Sequence, residues 1–321
     1  MNSTITSIAG IEVGHYTDLS NGTGCTVILC KNGATGGVDV RGGSPGTRET
    51  DLLRPMRRVT EVHGVVLSGG SAYGLDAATG VVEYLAGQGI GVKVGPTVVP
   101  IVSSAILFDL GVGNSEVRPN AANGMSACES ASVSPVIQGT VGAGTGATVG
   151  KALGIDSAMK GGIGSSCLTL PDGTSVGSIV AVNSWGGVID HKKGHIVAGP
   201  LSGDPKRPTD TLELLLKADP ILGDDVLSNT TIGLVATDAT LTKEEANFLA
   251  QVSHDGLALS ISPCHTIRDG DTMFSMATAE KAVSYDITSL CAAAVEVTGQ
   301  AVLNAVHSAT GLFGFPPASE F

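Results

Sequence analysis

Short runs of β-branched and apolar residues alternate along this chain with segments of helical periodicity, and no other feature limits its possible folds as much. Strands separated by helices form sheets whose faces the helices cover. The pattern therefore predicts a layered α/β or α+β sandwich. The runs that predict strands are CTVILC (25–30), HGVVLS (63–68), GSIVAVNS (177–184), TIGLVATD (231–238), GLALSIS (256–262) and MFSMAT (273–278).

Helices are predicted between and after these runs. One follows Gly74. Another opens at TKEE, where Thr242 can cap the first turn and Glu245 can complete a capping box. The last covers about Ile287 to His307, and its many alanines favour close packing on a sheet. The stretch GPLSGDPKRPTDTLE (199–213) is rich in proline, glycine and charge, which is typical of a linker.

The charge of the chain argues against one class of partner. Its formal net charge is −12, and an acidic surface repels phosphate backbones, so we expect no nucleic-acid partner. No apolar run reaches the roughly 18 residues of a membrane span, and the N-terminus has no signal-peptide pattern. We therefore expect a cytoplasmic protein without a membrane partner.

The cysteine and histidine pattern argues against disulfides and against a metal centre. The six cysteines include no C-x-x-C pair and are typical of reduced, mostly buried thiols. The spacing of Cys25 and Cys30 in one strand would point them to opposite faces. His191 and His195 are four apart, but Gly194 weakens a helix there and no third ligand accompanies them, so surface positions are predicted.

The glycine-rich stretch GAGTGATVGK (142–151) resembles nucleotide-binding loops only superficially. Thr145 and Ala152 break the G-x-x-x-x-G-K-[ST] pattern, and the match to a dinucleotide fingerprint neither follows a clear strand nor has an acidic ribose partner. We expect no cofactor. Lys151 differs from the rest of the loop, because a glycine-rich backbone can bring its ammonium close to a reacting centre.

Two carboxylates lie close together in IRDGDTMF, where Asp269 and Asp271 flank Gly270. If the segment is extended, both carboxylates face the same side; the commoner alternative is a turn that the aspartates cap. Two carboxylates held together can orient and polarise a hydroxyl or an ammonium group.

The step from Asn229 to Thr230, at the start of a predicted strand, permits a different chemistry. A threonine at a chain start carries a hydroxyl and its own α-amine, whose pKa is about 7.7–8.0. That amine can accept the hydroxyl proton, so one residue supplies both nucleophile and base. To create this end, the same hydroxyl must attack the preceding carbonyl carbon and form an ester that water opens.

Several segments together are similar to one enzyme family over nearly the whole chain. They are GGVDVRGGSPGTRETDLL (36–53), VVLSGGSAYGLDAATGV (65–81), GAGTGATVGK (142–151), GSIVAVNSWG (177–186), NTTIGLVATDATLT (229–242) and DGDTMFSMATA (269–279). In this order they resemble the P1 peptidases of family S58, the DmpA-like L-aminopeptidase/D-esterase group. That family includes β-peptidyl aminopeptidases and nylon-oligomer endohydrolases.

The resemblance implies a four-layer αββα fold, like that of ornithine acetyltransferases and N-terminal-nucleophile hydrolases, in a single domain over 1–321. It also implies self-cleavage between Asn229 and Thr230 into fragments 1–229 and 230–321, which stay together. Relatives assemble into homotetramers of the cleaved heterodimer, so a homo-oligomer is expected.

The resemblance also implies roles for individual residues. Thr230 is the expected nucleophile, and Asp269 and Asp271 are expected to reach its hydroxyl and amine. Lys151 would supply positive charge, and the Asn183 amide would help to stabilise the oxyanion. Thr with an Asp-Gly-Asp pair looks more like the nylon-oligomer branch than like the β-peptidyl aminopeptidases. Where some members have a tyrosine, Phe108 stands here without the hydroxyl.

The predicted function is an amidohydrolase that needs no metal or cofactor. Its expected substrates are short peptides, β-peptides, amino-acid amides or esters, or 6-aminohexanoate oligomers. Two alternatives stay open. One is an acyl transferase of the ornithine acetyltransferase type, which passes the acyl group to an amine. The other is a non-catalytic binding protein that keeps the fold and is not cut.

Overall fold

The computed structural model of the chain describes residues 2–217, 229–281 and 286–321. Its strands, in chain order, are β1 Glu12–Asp18, β2 Thr23–Val40, β3 Thr47–Arg48, β4 Glu61–Ser68, β5 Val92–Val94, β6 Thr97–Val99, β7 Val102–Ile106, β8 Thr148–Val149, β9 Met159–Lys160, β10 Gly162–Thr169, β11 Ser175–Asn183, β12 Gly187–Asp190, β13 His195–Ala198, β14 Leu201–Ser202, β15 Arg207–Pro208, β16 Thr230–Thr237, β17 Ile261–Ser262 and β18 Thr272–Ala277.

The α-helices are fewer and differ greatly in length. They are α1 Thr50–Leu53, α2 Ala77–Gly87, α3 Ala121–Glu129, α4 Thr211–Lys217, α5 Lys243–Ser260 and α6 Ile287–His307. Short 3₁₀ turns cover Ile5–Ser7, Ser71–Asp76, Gly142–Gly144, Ile155–Ser157 and Ala318–Glu320.

One large sheet organises the molecule, with strand order β10-β11-β16-β18-β2-β4-β7-β3 and β1 paired to β2. Strand β2 is 18 residues long, and its register with β4 shifts between Leu29 and Ala34. Its first half pairs with β4 and its second half with β18, so the same strand belongs to both parts of the sheet.

The buried side chains show that these two parts of the sheet form separate layers. Ile28 and Leu67, from β2 and β4, share an apolar cluster with Ile179 and Ile232, from β11 and β16. The opposite face of β2 and β4 packs on α2 and α3, and the opposite face of β11, β16 and β18 packs on α5 and α6. The predicted αββα sandwich is confirmed.

The sequence patterns located β4, β11, β16 and β18 within one or two residues, whereas β2 continues well beyond the predicted run at 25–30. Helix α6 has the predicted bounds, and α5 begins with the predicted capping box, in which Thr242 and Glu245 satisfy each other's backbone amides. Cys25 and Cys30 lie in different apolar clusters, on opposite faces of β2 as predicted. The thiols of all six cysteines are free.

Two predictions of local structure are wrong. The run at 256–262 is not a strand of that length, because α5 continues to Ser260 and only Ile261–Ser262 is extended. Gly256 lies inside α5 and lets it approach α6 closely, since a Cβ there would lie 2.4 Å from the Val295 carbonyl oxygen. The predicted linker at 199–213 contains the β14–β15 hairpin and the first turn of α4.

Helix α6 is long and apolar enough to cross a membrane by length and composition alone. In the structure it is a core helix, with Leu290, Val297 and Val306 fully or almost fully buried against the sheet and α5. Its apolar composition is explained by this packing.

Candidate active site

Thr230 is the first residue of β16, at the centre of the large sheet between β11 and β18. The residue opposite it on β11 is Asn183. Asn229 forms an isolated parallel bridge with Asp269, and both Asn229 and Thr230 are buried. The Asn-Thr step therefore lies inside the protein, at the start of a strand that is paired on both sides.

Two donors reach the carbonyl oxygen of the peptide bond between Asn229 and Thr230. The Thr230 hydroxyl donates to the Asn229 carbonyl oxygen, and the Gly270 amide donates to the same oxygen at 3.2 Å. A Cβ at Gly270 would lie 2.9 Å from the Thr230 Oγ1 and 2.7 Å from the Ser44 carbonyl oxygen. Glycine at 270 thus leaves room for the hydroxyl and brings a backbone donor to the carbonyl.

Lys151 and Asn183 form a tight buried unit beside Thr230. The Lys151 Nζ donates to both the backbone oxygen and the Oδ1 of Asn183, each at 2.9 Å. The Thr148 amide donates to the same Oδ1 at 2.9 Å, and the Asn183 Nδ2 donates to the Phe108 carbonyl oxygen at 2.9 Å. Burial lowers the pKa of Lys151 to about 7, although the Asp269 carboxylate acts in the opposite direction.

Asp269 and Asp271 are both almost completely buried but have different partners. Asp269 accepts hydrogen bonds from the Trp185 amide at 3.2 Å and from the Thr266 amide at 3.1 Å. Burial raises its pKa to about 6, and the negative charge of Asp271 adds to this. Asp271 accepts from the Thr231 amide at 2.6 Å.

The structure therefore brings all the predicted site residues together around the Asn229–Thr230 step. In the described ranges, neither Asp269 nor Asp271 hydrogen-bonds to Thr230 itself; Asp271 contacts the next residue of the strand. The Asn183 amide, predicted to stabilise an oxyanion, donates to Phe108 in the continuous chain. The roles of these residues stay predictions.

His265 and Cys264 also belong to the site and were not singled out from the sequence. The His265 amide and its Nδ1 lie 3.0 Å and 2.8 Å from the Asp271 Oδ2, and the Cys264 Sγ lies 3.5 Å from the same oxygen. The backbone of His265 is left-handed, with φ +56°, which is uncommon outside glycine. The sequence signal that could have identified these two residues is the Cys-His dipeptide, which lies a few residues before the Asp-Gly-Asp pair.

The glycine-rich stretch at 142–151 supports this site with its backbone. Lys160, which is fully buried, donates from Nζ to the carbonyl oxygens of Gly144, Ala147 and Gly161 at 2.7–3.1 Å. Burial lowers the pKa of Lys160 to about 7, and the carboxylate of Asp109 opposes that shift. At Gly144 the loop approaches the backbone of Ile163 so closely that a Cβ would lie 2.3 Å from the Ile163 amide nitrogen, which explains the glycine there.

Asp109 directly follows Phe108 and is held by the amide of Gly70 and the hydroxyl of Thr23, each at 2.7 Å. Burial raises its pKa to about 6.

His191 and His195 are exposed at the surface as predicted, and lie in a different part of the fold. Among the described residues, the side chains that come close enough together to hold a metal ion are those of Cys264, His265 and Asp271.

Comparison with known proteins identifies the family. The model of peptidase family S58 matches residues 3–317. The chain belongs to peptidase family S58. An uncharacterised aminopeptidase of Mycobacterium leprae is 42% identical to it over 98% of this chain and 93% of its own length. A 6-aminohexanoate-oligomer endohydrolase of Paenarthrobacter ureafaciens is 31% identical over 92% of this chain and 84% of its own length.

Solved structures show the same fold at low sequence identity. A β-aminopeptidase of a Burkholderia species has a TM-score of 0.70 and 21% identity, covering 98% of this chain and 89% of its own. The L-aminopeptidase D-Ala-esterase/amidase of Ochrobactrum anthropi, described as a variant of the N-terminal-nucleophile hydrolase fold, has a TM-score of 0.69 and 18% identity, covering 96% and 86%. This S58 protein is therefore a hydrolase that acts on amide bonds, and its fold is the variant of the N-terminal-nucleophile hydrolase fold that these structures share.

Proposed function

We propose that this S58 protein cuts itself between Asn229 and Thr230 and then uses Thr230 as the nucleophile of an aminopeptidase or amidase. One observation carries the proposal. The Thr230 hydroxyl lies against the carbonyl group of the residue before it, and the Gly270 amide donates to that carbonyl oxygen at 3.2 Å. Nucleophile, scissile bond and oxyanion donor are thus adjacent in the uncut chain.

Self-cleavage follows from this arrangement in two steps. The Thr230 Oγ1 attacks the carbonyl carbon of Asn229, and the charge that develops on the oxygen is stabilised by the Gly270 amide. The C–N bond then breaks, the hydroxyl proton ends on the nitrogen, and Asn229 is left as an ester on Oγ1. Water hydrolyses that ester, which gives an Asn229 carboxylate and a free Thr230 with both hydroxyl and amine.

The new carboxylate of Asn229 cannot remain where the uncut chain holds it. In that position it would be buried beside Asp269 and Asp271, and a third negative charge there is strongly unfavourable. The Asn229 side chain is also buried with neither its Nδ2 nor its Oδ1 bonded to any described residue. Departure of this end frees the space beside Thr230 for a substrate acyl group.

The fragments stay associated in this proposal because β16 is bonded on both sides. Residues 230–237 pair with β11, and residues 232–237 also pair with β18. Strand β16 and β18 belong to the 230–321 fragment, whereas β11 and β2 belong to the 1–229 fragment, so the sheet joins the two pieces.

In the hydrolytic cycle the Thr230 amine accepts the hydroxyl proton while Oγ1 attacks the substrate carbonyl. An acyl-enzyme forms, the leaving amine is protonated, and water releases the acyl group. We assign Asp269 and Asp271 to hold the amine, Lys151 to supply charge near the reacting carbonyl, and the Asn183 amide to help stabilise the oxyanion. No step requires a metal or a cofactor.

The proposed substrates are small amides with a free amino end. The pair of buried carboxylates favours an ammonium group near Thr230, and the relatives named aminopeptidase share more identity with this chain than the named 6-aminohexanoate-oligomer endohydrolase does. Amino-acid amides and short peptides are therefore the first class to test, and 6-aminohexanoate oligomers and β-peptides the second.

A panel of substrates separates this proposal from its rivals. Amino-acid p-nitroanilides should be hydrolysed, their N-acetylated counterparts much more slowly, and Thr230→Ala should hydrolyse neither. Acetyl transfer from N-acetylornithine to glutamate would instead support the transferase alternative. A chain that stays uncut and turns over none of these compounds would support the binding-protein alternative. A homotetramer of cleaved heterodimers is also proposed, and sedimentation of the purified protein tests it.

A further inference from the structure

Three side chains with metal-binding atoms meet on one wall of the Thr230 site. Cys264 and His265 follow β17 and Asp271 precedes β18, so a single short segment carries all three. The Cys264 Sγ lies 3.5 Å from the His265 Nδ1 and 3.5 Å from the Asp271 Oδ2, and those last two atoms are 2.8 Å apart. A thiol, an imidazole and a carboxylate thus share one small volume.

These separations are close to those around a tetrahedral zinc ion. Bond lengths of about 2.0–2.3 Å to oxygen, nitrogen and sulfur place neighbouring ligand atoms roughly 3.3–3.6 Å apart. The two distances to sulfur already match, and the nitrogen–oxygen distance must grow by about half an ångström. The imidazole must also turn, because the Sγ lies 3.7 Å from Nε2 as well as close to Nδ1.

The charge of the cluster favours a cation. Among the described residues, His265 is the basic side chain that pairs with Asp271, and Asp269 accepts hydrogen bonds from Trp185 and Thr266. Two buried carboxylates and a thiol therefore lie on this wall of the site, with Lys151 as a further basic group near Asp269. Zinc binds a mixed set of sulfur, nitrogen and oxygen donors, whereas the hard cations calcium and magnesium prefer oxygen ligands.

We propose that Cys264, His265 and Asp271 form a binding site for a thiophilic divalent cation such as Zn²⁺. Binding displaces the thiol proton to solvent and moves the imidazole proton from Nδ1 to Nε2. The Asp271 Oδ2 loses its hydrogen bond with the His265 Nδ1 and binds the ion instead. The Oδ1 of Asp271 still accepts the hydrogen bond from the Thr231 amide at 2.6 Å. Three protein ligands leave the fourth position for water.

An ion can reach this site from solvent, because Cys264 and His265 are partly exposed and only Asp271 is buried. A cation held there occupies the carboxylate that the proposed function assigns to the Thr230 amine, so reversible inhibition by Zn²⁺ is the expected consequence. That consequence rests on the proposed function. The binding itself does not, and the Thr230→Ala chain keeps all three ligands.

The test uses Cd²⁺, whose bond to a thiolate gives an ultraviolet charge-transfer absorption. We expect one equivalent to produce this band in the full chain, in Thr230→Ala and in Cys291→Ser, whose thiol lies on α6. The band should disappear in Cys264→Ser, and His265→Asn, which suits a left-handed backbone, should bind at least ~10-fold more weakly. Absence of the band in the folded wild type, or an equal band in Cys264→Ser, would overturn the site.

Alkylation of the unmodified protein gives the same answer if Cys264→Ser does not fold. Zn²⁺ should protect Cys264 from iodoacetamide and leave the labelling of Cys167 and Cys291 unchanged, as read by peptide mass spectrometry. Equal labelling of Cys264 with and without Zn²⁺ would contradict the proposal. Neither measurement depends on enzymatic activity, so failure of the metal site and failure of the proposed function are distinguishable.

Discussion

Asn183 and Thr230 face each other as antiparallel partners at the matching ends of two central strands, and the ammonium of Lys151 is bonded to both oxygens of Asn183. A buried lysine, whose pKa is lowered to about 7 by burial, is thereby fixed next to the residue that begins β16. Because Lys151, Asn183 and Thr230 come from separate segments of the chain, the folded sheet itself assembles the site.

Replacement of Asn183 by alanine should slow catalysis strongly. The change removes one acceptor of the Lys151 ammonium and the acceptor of the Thr148 amide, and it removes the proposed oxyanion donor. Loss of one such donor costs about 10²–10³ in rate, so a fall of that size in kcat/KM on an amino-acid p-nitroanilide is expected. Asn304→Ala is the matched control, since Asn304 donates to the Ser165 oxygen at 2.9 Å elsewhere. Equal rates for the two variants would refute the role of Asn183.

Gly270→Ala should slow self-cleavage. The added methyl would meet the Thr230 Oγ1 at 2.9 Å and the Ser44 oxygen at 2.7 Å, so either the hydroxyl or the backbone donor must move. The measurement is the fraction of uncut chain against time after synthesis. Gly87→Ala, which meets nothing within 4 Å on α2, serves as the control and should cleave normally. Normal cleavage of Gly270→Ala would show that the crowding at this position is harmless.

Lys160→Met should change how stability depends on pH. The pKa of Lys160 falls from 10.5 to about 7 on folding, because burial disfavours the ammonium. Between those values the unfolded chain binds more protons than the folded chain, so the contribution of this lysine to stability rises with pH over that window and is constant below it.

Methionine at 160 does not titrate, so the free energy of unfolding of the wild type minus that of the variant should increase from about pH 7 upwards. Urea unfolding at several pH values measures this difference. For the same substitution at Lys93, which is exposed, the difference in the free energy of unfolding should not change with pH. A difference for Lys160→Met that does not change with pH would contradict a neutral buried lysine.

Thr242→Ala tests a feature that was read directly from the sequence. The Thr242 side chain accepts from the Glu245 amide at 3.2 Å, and the Glu245 carboxylate accepts from the Thr242 amide at 2.8 Å. Loss of such an N-cap costs about 1 kcal/mol of stability. Thermal unfolding should show that loss with kcat unchanged, and an unchanged midpoint would mean that solvent replaces the cap.

The sequence predicted the sandwich, α6 and the start of β16 because these depend on local apolar periodicity and capping. It did not predict the end of α5, where the helix continues through Gly256 and packs closely against α6. Tertiary contact, not local preference, decides that boundary.

The site was predicted only in part for a related reason. Thr230, Asp269, Asp271, Lys151 and Asn183 lie together as the family resemblance implied, but their hydrogen-bond partners depend on the fold. The contacts of His265 and Cys264 with Asp271 need a left-handed residue and a particular path between β17 and β18. The carbonyl groups that surround Lys160 likewise converge only after the glycine-rich loop folds onto the sheet.

The central claim is that Thr230 cuts the chain and becomes its nucleophile, and the intact mass of the purified protein tests it most directly. We expect fragments of residues 1–229 and 230–321 in the wild type and one full-length chain in Thr230→Ala. A wild-type protein that remains a single chain of 321 residues while hydrolysing amino-acid amides would contradict the claim.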